Sequence, residues 1–204
     1  MKSWNDVEIP AVDPAINFPA LSLTNSASGK KEEVKRKAVY RMYVCGITPY
    51  DATHLGHAAT YLTFDLINRY LTACGSEVRY VQNITDIDDP LLERANRDGL
   101  DWTDLAHQQI DLFRSDMINL RVIPPAHYIG AIDAIPLVTD AIAELSSKGS
   151  IYSVEQDLYF KVHADSHFGE RSNLSQKKML EIFAERGGDP TRAGKTDPLD
   201  CLVW

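Results

Sequence analysis

Apolar and polar positions alternate in two short stretches of the chain and follow a helical period between them. Residues 38–44 (AVYRMYV) are rich in β-branched and aromatic side chains and predict a buried strand. From about Ala58 the apolar positions fit one face of a helix that ends near Gly75. Residues 77–84 (EVRYVQNI) predict a second strand. This strand–helix–strand order favours a parallel sheet with a right-handed crossover, and therefore an α/β fold.

The rest of the chain is predicted to be mainly helical. Residues 91–99 and 102–120 fit two amphipathic helices, after which two consecutive prolines break the chain. We expect a further helix over 135–145, a β-hairpin over 151–162 and a short helix over 175–184. The final segment, GGDPTRAGKTDPLDCLVW, predicts a loop with a last apolar stretch. The predicted apolar face of the first helix consists of Leu62, Leu66, Ile67, Tyr70 and Leu71. The predicted apolar face of the helix over 102–120 includes Leu105, Ile110, Leu112, Phe113 and Met117.

Composition narrows the class of protein. The chain has 204 residues, of which 44% are apolar, and this is enough for a hydrophobic core. No apolar run reaches the length of a membrane span, and the N-terminus lacks the apolar core of a secretory signal. Three widely spaced cysteines disfavour a disulfide framework and favour a reducing compartment. We therefore expect a cytoplasmic protein with no membrane partner.

The charge balance bears on nucleic-acid binding. The formal net charge is −8, whereas polyanion binding needs clustered lysine and arginine. The one dense basic cluster, KKEEVKRK at 30–37, is diluted by two glutamates. We interpret it as a solvated segment that leads into the first strand. The balance of charge disfavours a nucleic-acid partner.

Candidate chemistry concentrates in residues 43–57, YVCGITPYDATHLGH. Four interpretations are open: a metal site, a nucleophile with its base, a phosphate-binding helix start, or packing alone. A strand end followed by a helix start is where open α/β folds bind ligands and phosphates. His54 and His57 lie on one side of that helix start, although either could merely cap the turn. Cys45 could be a small core residue or a thiolate, and no C-x-x-C partner follows it.

A second polar cluster, Asp86, Asp88 and Asp89, follows the second strand. Three carboxylates admit a magnesium site. An aspartate shortly before Pro90 is also a common helix start, because its side chain can accept backbone N–H groups and proline suits the first helical turn. The residue pattern favours the helix start.

Three strings together resemble class I aminoacyl-tRNA synthetases, most closely cysteinyl-tRNA synthetases. They are YVCGIT at the first strand end, HLGH, which is similar to the "HIGH" motif, and YVQNITDIDD at 80–89. The resemblance covers roughly residues 38–204. It implies a Rossmann-type (HUP-like) parallel sheet with an inserted helical and β-hairpin segment, truncated at the C-terminus. The implied domains are an N-terminal arm (1–37), the first half of the Rossmann domain (38–90), and the connective insertion with the start of an incomplete second half (91–204).

The chain departs from cysteinyl-tRNA synthetases at several positions. Ile47 and Pro49 stand where those enzymes usually have proline and valine, and an Ala-Ala-Thr run (58–60) replaces Ala-Arg. The string ITPYDATHLGHAATY and the string ERGGDP (185–190) resemble instead the cysteine:glucosaminyl-inositol ligases of mycothiol biosynthesis, which are paralogues. The resemblance implies ATP-dependent formation of cysteinyl-adenylate and transfer of cysteine to the amine of glucosaminyl-inositol. The alternatives are a cysteinyl-tRNA synthetase and a truncated, non-catalytic remnant of the ligase.

The same resemblance implies roles for individual residues. His54 and His57 would steady the ATP phosphates, and Cys45 would be one ligand of a zinc ion that takes the substrate thiol. The other zinc ligands and a KMSKS-type loop are expected beyond residue 204. The expected substrates are L-cysteine, ATP and glucosaminyl-inositol, with no tRNA, for a monomeric enzyme. The positions expected around the aminoacyl-adenylate are Cys45, Gly46, Ile47, Thr48, Thr60, Asn83, Ile84 and Thr85.

Overall fold

The computed structural model describes residues 1–13 and 15–204, which form an α/β fold. The strands in this part of the chain are β1 (Ser22–Asn25), β2 (Lys30–Glu33), β3 (Val39–Val44), β4 (Glu77–Ile84), β5 (His127–Gly130), β6 (Ile151–Val154), β7 (Asp157–Phe160) and β8 (Cys201–Leu202). The α-helices are α1 (Leu55–Ala73), α2 (Asp89–Asp98), α3 (Trp102–Asn119), α4 (Ala131–Ser147) and α5 (Gln176–Glu185). The chain divides into two compact units, one of Met1–Pro19 with Lys35–Ile135 and one of Ala20–Val34 with Pro136–Trp204.

The first unit is built on a parallel sheet in the order β3-β4-β5. The central strand β4 has the predicted bounds and buries every second residue near its end, Tyr80, Gln82 and Ile84. β3 lies at the edge, and only Val44 in it is fully buried, so the expectation of a buried strand is wrong there. β5 was not predicted, because it is short and follows two prolines. The parallel sheet with α1 between its first two strands confirms the α/β prediction.

The N-terminal segment contributes to the core of the first unit. Trp4 is 5% exposed, and its Nε1–H donates to the carbonyl oxygen of Val122 at 2.8 Å. Its ring meets Phe113 and Tyr128 edge-on, each at 5.8 Å between centroids. The buried members of this core are Trp4, Val44, Ile47, Tyr61, Tyr80, Ile84, Ile110, Phe113, Met117, Val122 and Tyr128. Residues from the start of the chain therefore hold the sheet and α3 together.

Helix α1 ends as predicted, and of its predicted apolar positions Leu71 is buried and Leu62, Ile67 and Tyr70 are partly buried. Gly75 has a φ of +85°, a left-handed conformation that suits glycine after a helix end. Leu66, predicted on the apolar face, is 67% exposed. Asp65 is buried instead, and it accepts hydrogen bonds from Arg69 Nε at 2.6 Å and from the N–H of Ile123 at 2.9 Å. These bonds offset the free-energy cost of burying the carboxylate, so a polar residue can occupy a core position.

Helices α2 and α3 follow the predicted starts and stops. Asp88 caps α2 and Gly99, at φ +68°, ends it, which confirms the helix-start interpretation of the Asp-Pro string. Asp101 caps α3 by accepting backbone N–H groups of its first turn. Leu112 is 42% exposed, so its assignment to the apolar face is wrong. The two helices share a small buried cluster of Leu91, Ala95, Leu105 and Ala106.

Helix α4 begins at Ala131, directly after β5 and earlier than the predicted 135. Asp86, in the loop after β4, is 7% exposed, and its Oδ1 accepts the N–H of Ile132 at 3.0 Å. A Cβ at Gly130 would lie 2.3 Å from Asp86 Oδ2, so the carboxylate packs directly on the backbone before the helix. No helix in the described part of the chain is long and apolar enough to cross a membrane.

The second unit contains two antiparallel sheets and α5. The predicted hairpin is present as β6 and β7, and β8 adds a third strand that the sequence analysis assigned to a loop. The other sheet, β1-β2, is a hairpin that was not predicted. Its second strand carries the first residues of the KKEEVKRK cluster, which are exposed as expected but form a strand of their own and not only a lead-in to one. Ser175, predicted as the first residue of the short helix, is instead the N-cap of α5 and accepts the N–H of Lys178.

The ERGGDP string forms the turn after α5. Gly187 has a φ of +84°, and a Cβ at Gly188 would lie 2.6 Å from the Phe183 ring. Asp189 accepts a hydrogen bond from the Tyr159 hydroxyl and pairs with Lys195 Nζ at 2.8 Å. The Lys195 side chain is 2% exposed, and its ammonium lies over the Phe183 ring at 4.9 Å. The two glycines and this ion pair, of which only the lysine is fully buried, therefore fix the turn within the second unit.

Candidate active site

The ends of β3 and β4 are fastened together by hydrogen bonds. The N–H of Gly46 donates to Asn83 Oδ1 at 2.7 Å, and the Tyr43 hydroxyl donates to the same oxygen at 3.0 Å. Further along, the N–H of Thr85 donates to the carbonyl of Ile47 at 2.9 Å. The loop after β3 is thus held against the loop after β4, at the carboxyl edge of a parallel sheet where α/β folds bind ligands.

Glycine is required at position 46 by a close backbone approach. A Cβ there would lie 1.7 Å from the carbonyl oxygen of Asn83, far inside any real contact. The resemblance implied that Gly46 and Asn83 each contact the adenylate. The structure shows that they also contact each other, so the two positions form one local unit.

The two histidines cap the start of α1. His54 is the N-cap, and its Nδ1 accepts the N–H of Gly56 at 3.0 Å. The N–H of His54 in turn donates to His57 Nδ1 at 3.2 Å, and the two ring centroids are 4.1 Å apart. The capping interpretation is therefore confirmed. Capping is compatible with phosphate binding, because each cap uses the Nδ1 atom and leaves the Nε2 atom of the same ring out of the capping bonds.

The cap determines where each imidazole proton lies. Because each Nδ1 accepts a backbone N–H, the neutral ring carries its proton on Nε2. Partial burial, and then the neighbouring His54 ring, lower the pKa of His57 and favour its neutral form. The pair therefore presents two Nε2–H donors beside the positive end of a helix dipole. Such an arrangement suits the oxygens of a phosphate group.

The other positions expected around the adenylate differ in exposure. The Thr48 hydroxyl donates to Asp88 Oδ2 at 3.4 Å, and the exposed Thr60 donates to the Gly56 carbonyl at 3.1 Å. Ile47 and Ile84 are 5% and 0% exposed and belong to the core beneath the loops. The threonines lie where a ligand can reach them, and the isoleucines support the loops from below. Their roles toward a ligand stay predictions.

Cys45 has an exposed thiol, which excludes the core-packing interpretation. Its carbonyl oxygen accepts a hydrogen bond from the Tyr61 hydroxyl at 3.2 Å, so the backbone at this position is fixed. Among residues 1–13 and 15–204, no three His, Cys, Asp or Glu side chains form a group that could hold a metal ion. These residues therefore complete neither a zinc site around Cys45 nor a magnesium site at the Asp86–Asp89 string. A zinc ion at Cys45 would need further ligands from outside them.

We expect the chain to bind zinc weakly, at well below one ion per molecule after dialysis, because one thiolate cannot supply a tetrahedral site. Metal analysis by atomic emission checks this, with Cys45→Ser as the variant and Cys74→Ser as the matched control. Any residual zinc should disappear in Cys45→Ser and persist in the control. One tightly held ion that survives Cys45→Ser would contradict the assignment of Cys45 as a ligand.

Sequence reasoning missed two contributors to the site. Asp86 was considered only for magnesium or as part of a helix start, yet it fastens the loop after β4 to the start of α4. Tyr43, 63% exposed, was assigned to a strand alone, yet it holds the Asn83 amide. Neither role had a local signal, because the partners lie tens of residues away in the sequence.

The fold and this edge of the sheet define a class I synthetase catalytic domain. The model of the family described as tRNA synthetases class I (C) catalytic domain matches residues 31–204, and the chain belongs to this family. A solved structure of Agrobacterium radiobacter LeuRS in a ternary complex with tRNA and LeuAMS shares the fold. It matches with a TM-score of 0.50 and 16% identity over 86% of this chain and 23% of that one.

Curated relatives are similar over the whole chain. The Thermomonospora curvata protein named L-cysteine:1D-myo-inositol 2-amino-2-deoxy-alpha-D-glucopyranoside ligase is 55% identical, and the Kribbella flavida protein of the same name is 56% identical. Each alignment covers 100% of this chain and 50% of the relative. A Frankia alni protein of this name is 62% identical over 80% of the chain and 40% of its own length. The chain thus spans about half the length of these relatives.

Proposed function

We propose that this protein takes part in the ATP-dependent ligation of L-cysteine to the amine of glucosaminyl-inositol, a step of mycothiol biosynthesis, in the cytoplasm. The observation that carries the proposal is the identity of 55% and 56% to proteins named as this ligase, over the whole chain. The synthetase fold supports it, since a helix start, a place that suits phosphate groups, follows the end of a parallel strand in this chain.

In the proposed first step, the carboxylate of cysteine attacks the α-phosphorus of ATP. A C–O–P anhydride forms, the bond to the β-phosphate oxygen breaks, and pyrophosphate leaves with the negative charge. The Nε2–H donors of His54 and His57, with the N-terminus of α1, would stabilise the charge that moves onto the leaving phosphates. Because the capping bonds fix both rings beforehand, no reorganisation is needed as this charge develops.

In the proposed second step, the amine of glucosaminyl-inositol attacks the carbonyl carbon of cysteinyl-adenylate. An amide bond forms, AMP leaves, and the amine proton passes to solvent or to the departing AMP. The loop after β3 and the loop after β4, fastened through Gly46 and Asn83, would hold the adenylate between them. A pseudodisaccharide needs only a pocket with a few donors and acceptors, which agrees with a net charge of −8 better than a tRNA does.

Among the described residues, Cys45 is the one that we propose as a zinc ligand. An exposed thiol at a strand end would serve as one ligand, and the ion would select cysteine over serine, because zinc binds thiolates far better than alcohols. Such selection would require no editing step.

In a protein of the relatives' full length, we expect His57→Asn to raise the activation free energy of cysteine-dependent ATP–pyrophosphate exchange by about 2–4 kcal/mol, the usual cost of losing a preorganised donor. Asparagine is a suitable replacement, because its side-chain oxygen can still accept the N–H of His54 at the third position of the helix. Exchange kinetics at saturating cysteine measure the effect, beside thermal unfolding of the same variant.

The matched control is Leu66→Ala on the same helix, whose side chain is 67% exposed. It should leave both exchange and stability near those of the parent. If His57→Asn exchanges normally but loses stability, the histidine acts only as a cap. If the parent protein of full length shows no cysteine-dependent exchange, the proposed function fails.

A further inference from the structure

The loop that leads into the histidine pair is held by α2. Arg94, on α2, is 25% exposed in its side chain and reaches this loop with one guanidinium nitrogen. That nitrogen, NH1, donates to the carbonyl oxygen of Tyr50 at 3.1 Å and pairs with Asp51 Oδ1 at 3.2 Å. Another nitrogen of the same guanidinium pairs with Asp98 at the end of α2. Arg94 therefore connects the end of α2 to the backbone of the loop.

A second contact holds the loop from α3. The Thr53 hydroxyl donates to Asp116 Oδ2 at 2.7 Å, and both residues are half-buried. Thr53 directly precedes His54, the N-cap of α1. A hydrogen bond to a charged acceptor is stronger than one between neutral groups, and partial burial shields it from water. This bond therefore fixes Thr53, the residue directly before the N-cap His54.

Both contacts come from elements that are themselves fixed. The facing sides of α2 and α3 share the buried cluster of Leu91, Ala95, Leu105 and Ala106. α3 also packs on α1, where the rings of Phe113 and Tyr61 meet edge-on with centroids 5.1 Å apart. The two helices therefore form a support that cannot shift relative to α1 without disrupting the core.

From this arrangement we infer that the α2–α3 pair (89–119) positions the histidines, with Arg94 and Asp116 as positioning residues. The two side chains hold opposite ends of the loop from Tyr50 to Thr53, and the loop delivers His54 and His57 to the start of α1. The catalytic part of this inference rests on the proposed function. Misplacing a catalytic donor by about 1 Å can cost roughly 100-fold in rate, so the support matters for turnover.

The test compares two pairs of variants in the full chain. Thr53→Val removes the hydroxyl, and Thr53→Ser keeps it. Arg94→Ala removes the contacts to Tyr50 and Asp51, whereas Arg97→Ala removes only a neighbouring arginine that pairs with Asp98 at 2.8 Å. Amide hydrogen exchange by NMR at His54 and Gly56 reports the cap directly, because both N–H groups donate to the imidazoles. Thermal unfolding of each variant identifies any general loss of stability.

We expect Thr53→Val and Arg94→Ala to speed amide exchange at His54 and Gly56 by about tenfold, the scale of one lost hydrogen bond. The kcat of ATP–pyrophosphate exchange should fall roughly 10- to 100-fold, with the KM for cysteine unchanged. Thr53→Ser and Arg97→Ala should behave as the parent. Equal amide exchange in both members of each pair would overturn the inference. A parent protein of the relatives' full length without pyrophosphate exchange would refute the proposed function, and the amide exchange would still decide the positioning role.

Discussion

Replacing Gly46 with alanine is expected to destabilise the chain by about 3 kcal/mol or more, the upper end of overpacking costs. The new Cβ would lie 1.7 Å from the Asn83 carbonyl oxygen, so the ends of β3 and β4 must separate. That separation would also break the bond from the Gly46 N–H to the Asn83 side chain. Urea-induced unfolding, followed by circular dichroism, measures the loss.

Gly75→Ala is the matched control for this variant. Gly75 has a φ of +85° and open space around its Cα, so alanine there would be strained without a clash. The control should lose only about 1–2 kcal/mol, the usual cost of a left-handed alanine. If Gly46→Ala is no less stable than Gly75→Ala, the close approach of the two loops is not as described.

Replacing Trp4 with alanine should cost about 3–5 kcal/mol, the usual range for removing a buried tryptophan. The indole fills the space between Phe113 and Tyr128 and donates to the Val122 carbonyl at 2.8 Å. Removing it leaves both a cavity and an unpaired carbonyl. Chemical unfolding, monitored through the hydrogen exchange of the β4 amides in the first unit, measures the loss of stability.

Two further variants separate the causes. Trp4→Phe keeps a ring and loses the N–H donor, so it should cost about 1–3 kcal/mol, the penalty for one buried unpaired group. Trp204→Ala, at a position 57% exposed, should change stability by less than about 0.5 kcal/mol. A Trp4→Ala protein as stable as the Trp204→Ala protein would show that the N-terminal segment does not support the core.

Periodicity and turn chemistry predicted much of this fold. β4 has the predicted bounds, and Gly75, Asp88 and Gly99 mark the helix ends that their local chemistry indicated. These features depend on interactions within a few residues, which a sequence displays directly. The helical positions of α3 are also mostly confirmed, since a strongly periodic apolar face has one way to pack.

The misses depend on partners that are distant in the sequence. β5 and β8 are strands because a neighbouring strand pairs with them, and their own four and two residues carry little signal. α1 buries Asp65 rather than Leu66, because Arg69 and the backbone of Ile123 satisfy the carboxylate. Trp4 joins the core through contacts more than a hundred residues along the chain. Local patterns cannot reveal such compensation.

The candidate site shows the same division. The motif located His54, His57, Cys45 and Gly46 at the strand end and the helix start, where the structure has them. The tautomers of the two imidazoles, and the support from Arg94 and Asp116, follow from three-dimensional contacts alone.

The central claim is that activated cysteine goes to a small amine. The most direct measurement supplies the protein with labelled cysteine and ATP, and offers glucosaminyl-inositol and tRNA as competing acceptors. We predict label in the amide of glucosaminyl-inositol, formation of AMP that depends on that acceptor, and no label in tRNA. Label in tRNA with none in the small amide would contradict the proposed function and indicate a cysteinyl-tRNA synthetase instead.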